Sequence, residues 1–139
     1  MIRKILLGYD GSDLADAAFA FALELARKFD AELHVIAVVR PPEFGDEVET
    51  RAVIENSRRH YEKILGALSE RLAKQPVAFR SSLVVGHPAE QIVRYAEEHS
   101  IDHIVVGHRG RTLFERWLIG SVARQVIAYA HCAVTVVRK

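Results

Sequence analysis

Ile2-Arg3-Lys4-Ile5-Leu6-Leu7-Gly8-Tyr9-Asp10-Gly11-Ser12-Asp13-Leu14 changes its hydrophobic period halfway along. Ile2 to Tyr9 is a short apolar run with the look of a strand, and Asp10-Gly11-Ser12 stops it with turn chemistry. Beyond the turn, Leu14, Ala18, Phe21, Leu25 and Phe29 recur at helical spacing, with Ala17 and Ala22 widening the stripe. Ser12 is the expected N-cap. Asp13 and Asp16 in the first turn, and Arg27 and Lys28 in the last, match the helix dipole.

The same switch repeats along the chain. Leu33 to Val39 is a second apolar strand, ended by Pro41-Pro42. Glu43 to Glu49 is an acidic stretch expected to be loop leading into a helix, whose stripe is Tyr61, Ile64, Leu65, Leu68 and Leu72. Gly66 weakens that helix, and Pro76 ends the region. Phe79 to Val85 forms a third strand, closed by Gly86-His87-Pro88, with Pro88 suited to a first helical position. Ala89, Ile92, Val93 and Ala96 then face one side of a short helix. Ile104-Val105-Val106-Gly107 is a fourth strand, too apolar to have a solvent face. After a long connection, Ser121 to Ala130 reads as a helix with Val122, Val126 and Ile127 inward, and Ala133 to Val137 as a last strand. Strands alternating with helices imply a parallel sheet covered on both faces, and right-handed crossovers make it doubly wound.

Composition bounds the function. The 139 residues suit one domain, 1–139, and are 50% apolar and 27% charged, an ordinary globular balance. With 19 Lys and Arg against 18 Asp and Glu, the net charge of +1 argues against a nucleic-acid partner. The apolar run at the start is too short for a secretory leader, and no stretch approaches the roughly 18 apolar residues that a membrane span needs. The single cysteine, Cys132, forbids an internal disulfide and suits a reducing cytoplasm. It reads as a small buried hydrophobe.

In an open parallel sheet, ligands bind beyond the carboxyl ends of the strands. Two of those ends stand out. Gly107-His108-Arg109-Gly110 is followed by nine residues and then Gly120-Ser121, which leaves twelve residues between Gly107 and Gly120. Strand-to-helix loops are commonly about two to six residues, so this length points to function or mobility. Glycines admit a close backbone approach, and the Gly120-Ser121 helix start offers free N–H groups to an anion. Arg109, Arg111, Arg116 and Arg124 against Glu115 leave +3 here. This describes either a phosphate cradle, ordering as ligand binds, or a flexible loop with solvated arginines and a capping serine. The second end is Asp10. With Asp13 and Asp16 beside it, its helix start repels phosphate, and a carboxylate there suits ribose hydroxyls. An Asx-turn residue is the alternative. A ribose acceptor and a phosphate cradle on two strands make a nucleotide the economical ligand.

These residues resemble the universal stress protein family. Its signature, Gly-x2-Gly-x9-Gly-Ser/Thr, is matched without a gap by Gly107, Gly110, Gly120 and Ser121. Asp10-Gly11-Ser12 is similar to the family's first loop, Gly86-His87-Pro88 to its Gly-x-Pro turn, and Val38 sits where the family sets a valine against adenine. Ala133 departs from the proline that many members carry after the cysteine. The resemblance covers essentially the whole chain. It implies a flavodoxin-like (adenine nucleotide alpha hydrolase-like) sheet of five parallel strands in the order 3-2-1-4-5. It further implies ATP binding, with AMP or another adenine nucleotide as alternatives and Mg²⁺ carried by the phosphates. The expected nucleotide contacts are Asp10, Gly11, Ser12, Val38, Val106, Gly107, Arg109, Gly110, Gly120, Ser121 and Val122. A homodimer through Val134 to Val137 is expected as well, since that strand would be an edge without proline or charge.

Other chemistries lack their residues. A receiver domain needs a phosphoacceptor Asp after the third strand, where Gly86 stands; neither a Gly-x-Gly-x-x-Gly after the first strand nor a Gly-Lys-Ser/Thr occurs. A nucleotidyltransferase wants a His-x-Gly-His-type turn early in the chain, and Asp10-Gly11-Ser12 is not one. The seven histidines read as surface residues rather than metal ligands, with His108 expected in solvent. No base–nucleophile pair supports catalysis. A nucleotide-responsive regulatory module leads, ahead of a nucleotide-free dimer and a slow ATP-hydrolysing enzyme.

Overall fold

The computed structural model describes residues 1–108 and 120–138. Among the described residues, nine elements alternate: β1 (Lys4–Gly8), α1 (Asp13–Phe29), β2 (Glu32–Val39), α2 (Glu47–Ala73), β3 (Phe79–Val85), α3 (Pro88–Glu98), β4 (His103–Gly107), α4 (Ser121–Tyr129) and β5 (Ala133–Val137). The strands form a parallel sheet in the order β3-β2-β1-β4-β5, as the resemblance implied. The order reverses at β1, whose Ile5 pairs with Leu33 on one side and His103 on the other.

Successive strand residues point to opposite faces. Ile5 and Leu7 therefore enter one core with Val35 and Val105, under α1 and α2. Leu6 enters a second with Ile36, Ile104 and Val106, under α3 and α4. Burial on both faces is why these strands read as unbroken apolar runs. At the amino end of the sheet, Asp102 Oδ2 accepts the backbone N–H groups of Arg3 at 2.8 Å and Lys4 at 3.0 Å.

The helices depart from their expected faces in instructive ways. α1 packs through Ala15, Ala18, Phe19, Ala22 and Ala26, whereas Phe21 and Phe29 are 41% and 50% exposed. Alanines let the helix lie close to the sheet, and the larger rings are left on its flank. α2 begins inside the acidic stretch read as loop: Asp46 and Glu49 form a reciprocal capping box. In α3 the buried face holds Tyr95 in place of Val93. In α4 it is Ala123 and Val126, with Ile127 exposed. His34 is buried too, against the expectation of surface histidines: its ring sits under α3, on Tyr95. Among the described residues, no helix is long and apolar enough to cross a membrane.

Candidate functional site

A cavity of about 520 Å³ opens beyond the carboxyl ends of β1, β2 and β4, at the point where the strand order reverses. Ile36 and Val38 of β2, Val106 of β4 and Ile92 of α3 make an apolar wall. Asp10, Ser12, Ser121 and Arg40 supply polar groups. Gly8 ends β1 here, and a Cβ on it would stand 3.0 Å from Ile92 Cδ1.

Three helices start at this cavity, α1, α3 and α4. Proline at the first position of α3 removes one N–H and Glu90 stands in its first turn; α1 and α4 differ more sharply. The α1 terminus is closed: Ser12 Oγ accepts the Ala15 N–H at 3.2 Å, and Asp13 and Asp16 fill the first turn. The Tyr9 hydroxyl donates to Asp16 Oδ1. Burial, with this hydrogen bond second, pushes the Tyr9 pKa up to about 12, so the phenol keeps its proton. The α4 terminus has no acid in its first turn, and its N-cap, Gly120, has no side chain to bond the helix N–H groups. Its first N–H groups have no intrahelical acceptor, as at every helix start, and Ser121, Val122 and Ala123 all line the cavity. Charge and free donors together make α4 the end suited to an anion.

The structure brings most of the expected residues together. Asp10, Ser12, Val38, Val106, Gly107, Gly120, Ser121 and Val122 share the cavity wall. Asp10 also serves the turn, since its Oδ1 accepts the Ser12 N–H at 3.0 Å. Gly11 is not on the wall. Its φ of +81° is left-handed, and a Cβ would meet Ile64 Cδ1 at 2.9 Å, so it shapes the turn under α2. Gly107 brings β4 against α1, where a Cβ would stand 3.0 Å from the Leu14 carbonyl oxygen. Arg109 and Gly110 lie outside the described residues, as does the expected ordering of the segment between His108 and Gly120.

Arg40 and Tyr61 are wall residues outside the expected contacts, as are Gly8, Ile36, Ile92 and Ala123. Arg40 directly follows β2 and shares the alternation of Ile36 and Val38, a signal that was present but unused. Tyr61 reads as a core residue by its spacing, yet it is half-buried and forms the cavity wall on the α2 side. His108 was expected in solvent and is instead 4% exposed, with Nδ1 accepting the Gly120 N–H at 2.9 Å. Its own N–H donates to the Val137 carbonyl at 2.9 Å. Cys132 is half-buried beside the α3–α4 core, and burial raises its thiol pKa, as befits an unreactive side chain.

Comparison with known proteins agrees with this architecture. The family model described as the universal stress protein family matches residues 1–138. A universal stress protein of Methanocaldococcus jannaschii is 35% identical over 142 residues, covering 100% of this chain and 84% of that protein. The solved UspA of Lactobacillus plantarum superposes with a TM-score of 0.87 at 27% identity, covering 98% of this chain and 97% of its own. More distant structures share the fold. One is a universal stress protein from Archaeoglobus fulgidus in complex with dAMP, at TM-score 0.71 and 23% identity over 98% of this chain and 97% of that one. Another is from Arabidopsis thaliana with AMP bound, at 0.74 and 17% over 99% and 92%. Matched along its length by model, relative and solved fold alike, the chain belongs to the universal stress protein family.

Proposed function

We propose that this protein binds an adenine nucleotide, ATP in the first place and AMP as the alternative, and acts as a stress-response regulatory module in the cytoplasm. The observation that carries this reading is the meeting of Asp10, Val38, Gly107, Gly120 and Ser121 around one cavity at the switch point. The adenine packs against Val38 and Val106. The ribose hydroxyls donate to Asp10. The phosphates lie along Gly107 and the start of α4, with Arg109 and the signature's Gly110 completing the cradle. Mg²⁺ comes with ATP, held by phosphate oxygens and not by a protein cage. Fold relatives that hold AMP and dAMP support the choice of an adenine nucleotide.

The module works as a homodimer joined through β5, which ends the sheet order and, among the described residues, has no strand on its outer side. Each copy keeps its own cavity, because the site lies beyond the strand ends and not along the edge.

The direct test is to denature the purified protein and identify the released small molecules by mass spectrometry, with ATP or AMP expected at up to one per chain. Calorimetry on protein stripped of ligand then compares the wild type with Gly120→Val, whose side chain enters the phosphate region. Unchanged ATP affinity in a folded Gly120→Val protein would place the site elsewhere.

A further inference from the structure

His108 is a buried imidazole that the nucleotide signature leaves unassigned, since the signature specifies only the glycines and the hydroxyl around it. It is held at both ends. Its backbone N–H donates to the Val137 carbonyl at 2.9 Å, which ties the residue to the end of β5. Its Nδ1 accepts the Gly120 N–H at 2.9 Å, which ties it to the N-cap of α4. Because Gly120 donates, Nδ1 presents a lone pair, and the neutral ring carries its proton on Nε2.

This bond decides which donors the helix start can offer. The first intrahelical bond of α4 runs from the Arg124 N–H to the Gly120 carbonyl at 2.9 Å. The N–H groups of Ser121, Val122 and Ala123 therefore have no intrahelical acceptor, and all three residues line the cavity. The Gly120 N–H is not in that set, because the imidazole takes it. His108 also spans twelve positions in sequence to join the two glycine ends of the signature. Residues 108 and 120 bracket the intervening chain, so their bond sets the distance and angle between the end of β4 and the mouth of α4.

We propose that His108 is a positioning residue for the nucleotide phosphates. It pins the N-cap of α4 to the ends of β4 and β5, so that the Ser121, Val122 and Ala123 N–H groups converge on the phosphate position. The inference rests on the nucleotide reading above and adds a residue to it. His108 itself does not touch the ligand. Losing the clasp lets the donor set turn away from the phosphates, while the apolar slot for the base is untouched.

The test uses three proteins and two ligands. His108→Leu removes the acceptor. His108→Asn restores it, because Asn Oδ1 occupies the place of His Nδ1. Calorimetry with ATP and with adenosine, which lacks phosphates, is run at a temperature where each variant is folded. Expected is an ATP affinity about tenfold weaker in His108→Leu and within about threefold of wild type in His108→Asn, with adenosine affinity unchanged in both. The Gly120 amide, followed by NMR hydrogen exchange, should be protected in the wild type and in His108→Asn and exchange fast in His108→Leu. If His108→Leu does not fold, His108→Gln replaces it, since its carbonyl lies too far along the side chain to reach Gly120. Wild-type protein that fails to bind ATP sinks the nucleotide reading and this role together. ATP bound equally by all three leaves the nucleotide reading standing and overturns the role of His108. Equal losses for ATP and adenosine, or no rescue by Asn, also overturn it, because the histidine would then act only in packing.

Discussion

His34 Nδ1 lies 2.6 Å from the Tyr95 hydroxyl, a hydrogen bond between β2 and α3 that is buried from water. The other ring nitrogen is 3.0 Å from Glu32 Oε1. Tyr95 stacks on His99 with ring centroids 3.8 Å apart. Tyr95→Phe keeps that stacking and removes the hydroxyl, leaving His34 Nδ1 buried without its partner. The expected cost is about 1–3 kcal/mol, read as a lower urea midpoint with an unchanged slope.

Burial lowers the His34 pKa, so the folded state favours the neutral ring. The unfolded chain then binds the proton more readily, and stability is lost as pH falls below the ordinary histidine value of about 6.5. Urea unfolding should give a lower stability at pH 5.5 than at pH 7.5. His34→Gln should shrink that difference without abolishing it, because burial lowers His103 in the same direction. An undiminished difference would remove His34 from the account.

Gly66 lies on the exposed side of α2, and a Cβ there meets nothing within 4 Å. Gly66→Ala should stabilise the protein by about 0.5–1 kcal/mol, visible as a rise in Tm.

Asp10→Ala tests the ribose contact. Loss of a charge-assisted hydrogen bond should weaken ATP binding by about 1.5–3 kcal/mol while the fold survives. The loss should be equal in Mg²⁺ and in EDTA after correction for the metal's effect on ATP. A loss seen only with Mg²⁺ would assign Asp10 to the metal.

Light scattering should find a dimer at tens of micromolar, and Val136→Pro should yield monomers. Val137 turns its carbonyl toward His108 at the end of β4. By strand alternation, the Val136 N–H points the other way, to the side of β5 away from β4. Proline therefore removes a donor from the expected interface and spares the β4–β5 ladder. A wild-type monomer would exclude the β5 dimer.

The order of elements was legible because each apolar run stops at a turn and restarts at a different period. The faces of the helices were less so. Alanine carries little hydrophobicity, so Ala15 and Ala26 could not outweigh Phe21 and Phe29 in a stripe, although closeness to the sheet favours the small side chains. The cavity's two ends, Asp10 and Gly120-Ser121, were marked by turn and signature residues. Tyr61 and His108 were not, since a half-buried tyrosine at core spacing and a histidine in a glycine loop each look ordinary until distant strands are brought together. The Tyr95–His34 pair joins residues 61 positions apart, and no local pattern announces it.

Asp102 grips Arg3 and Lys4 from 99 and 98 residues away. With β1 between β2 and β4, the two halves of the cavity come from opposite ends of the chain. Such pairing closes a long loop before any contact rewards it, so it belongs late in folding. A chain that has folded only through β3 has the Asp10 turn and the Val38 wall but neither Gly107 nor the α4 mouth. A nucleotide that binds only the finished cavity would report that folding has reached β4 and α4, and would stabilise the completed site alone.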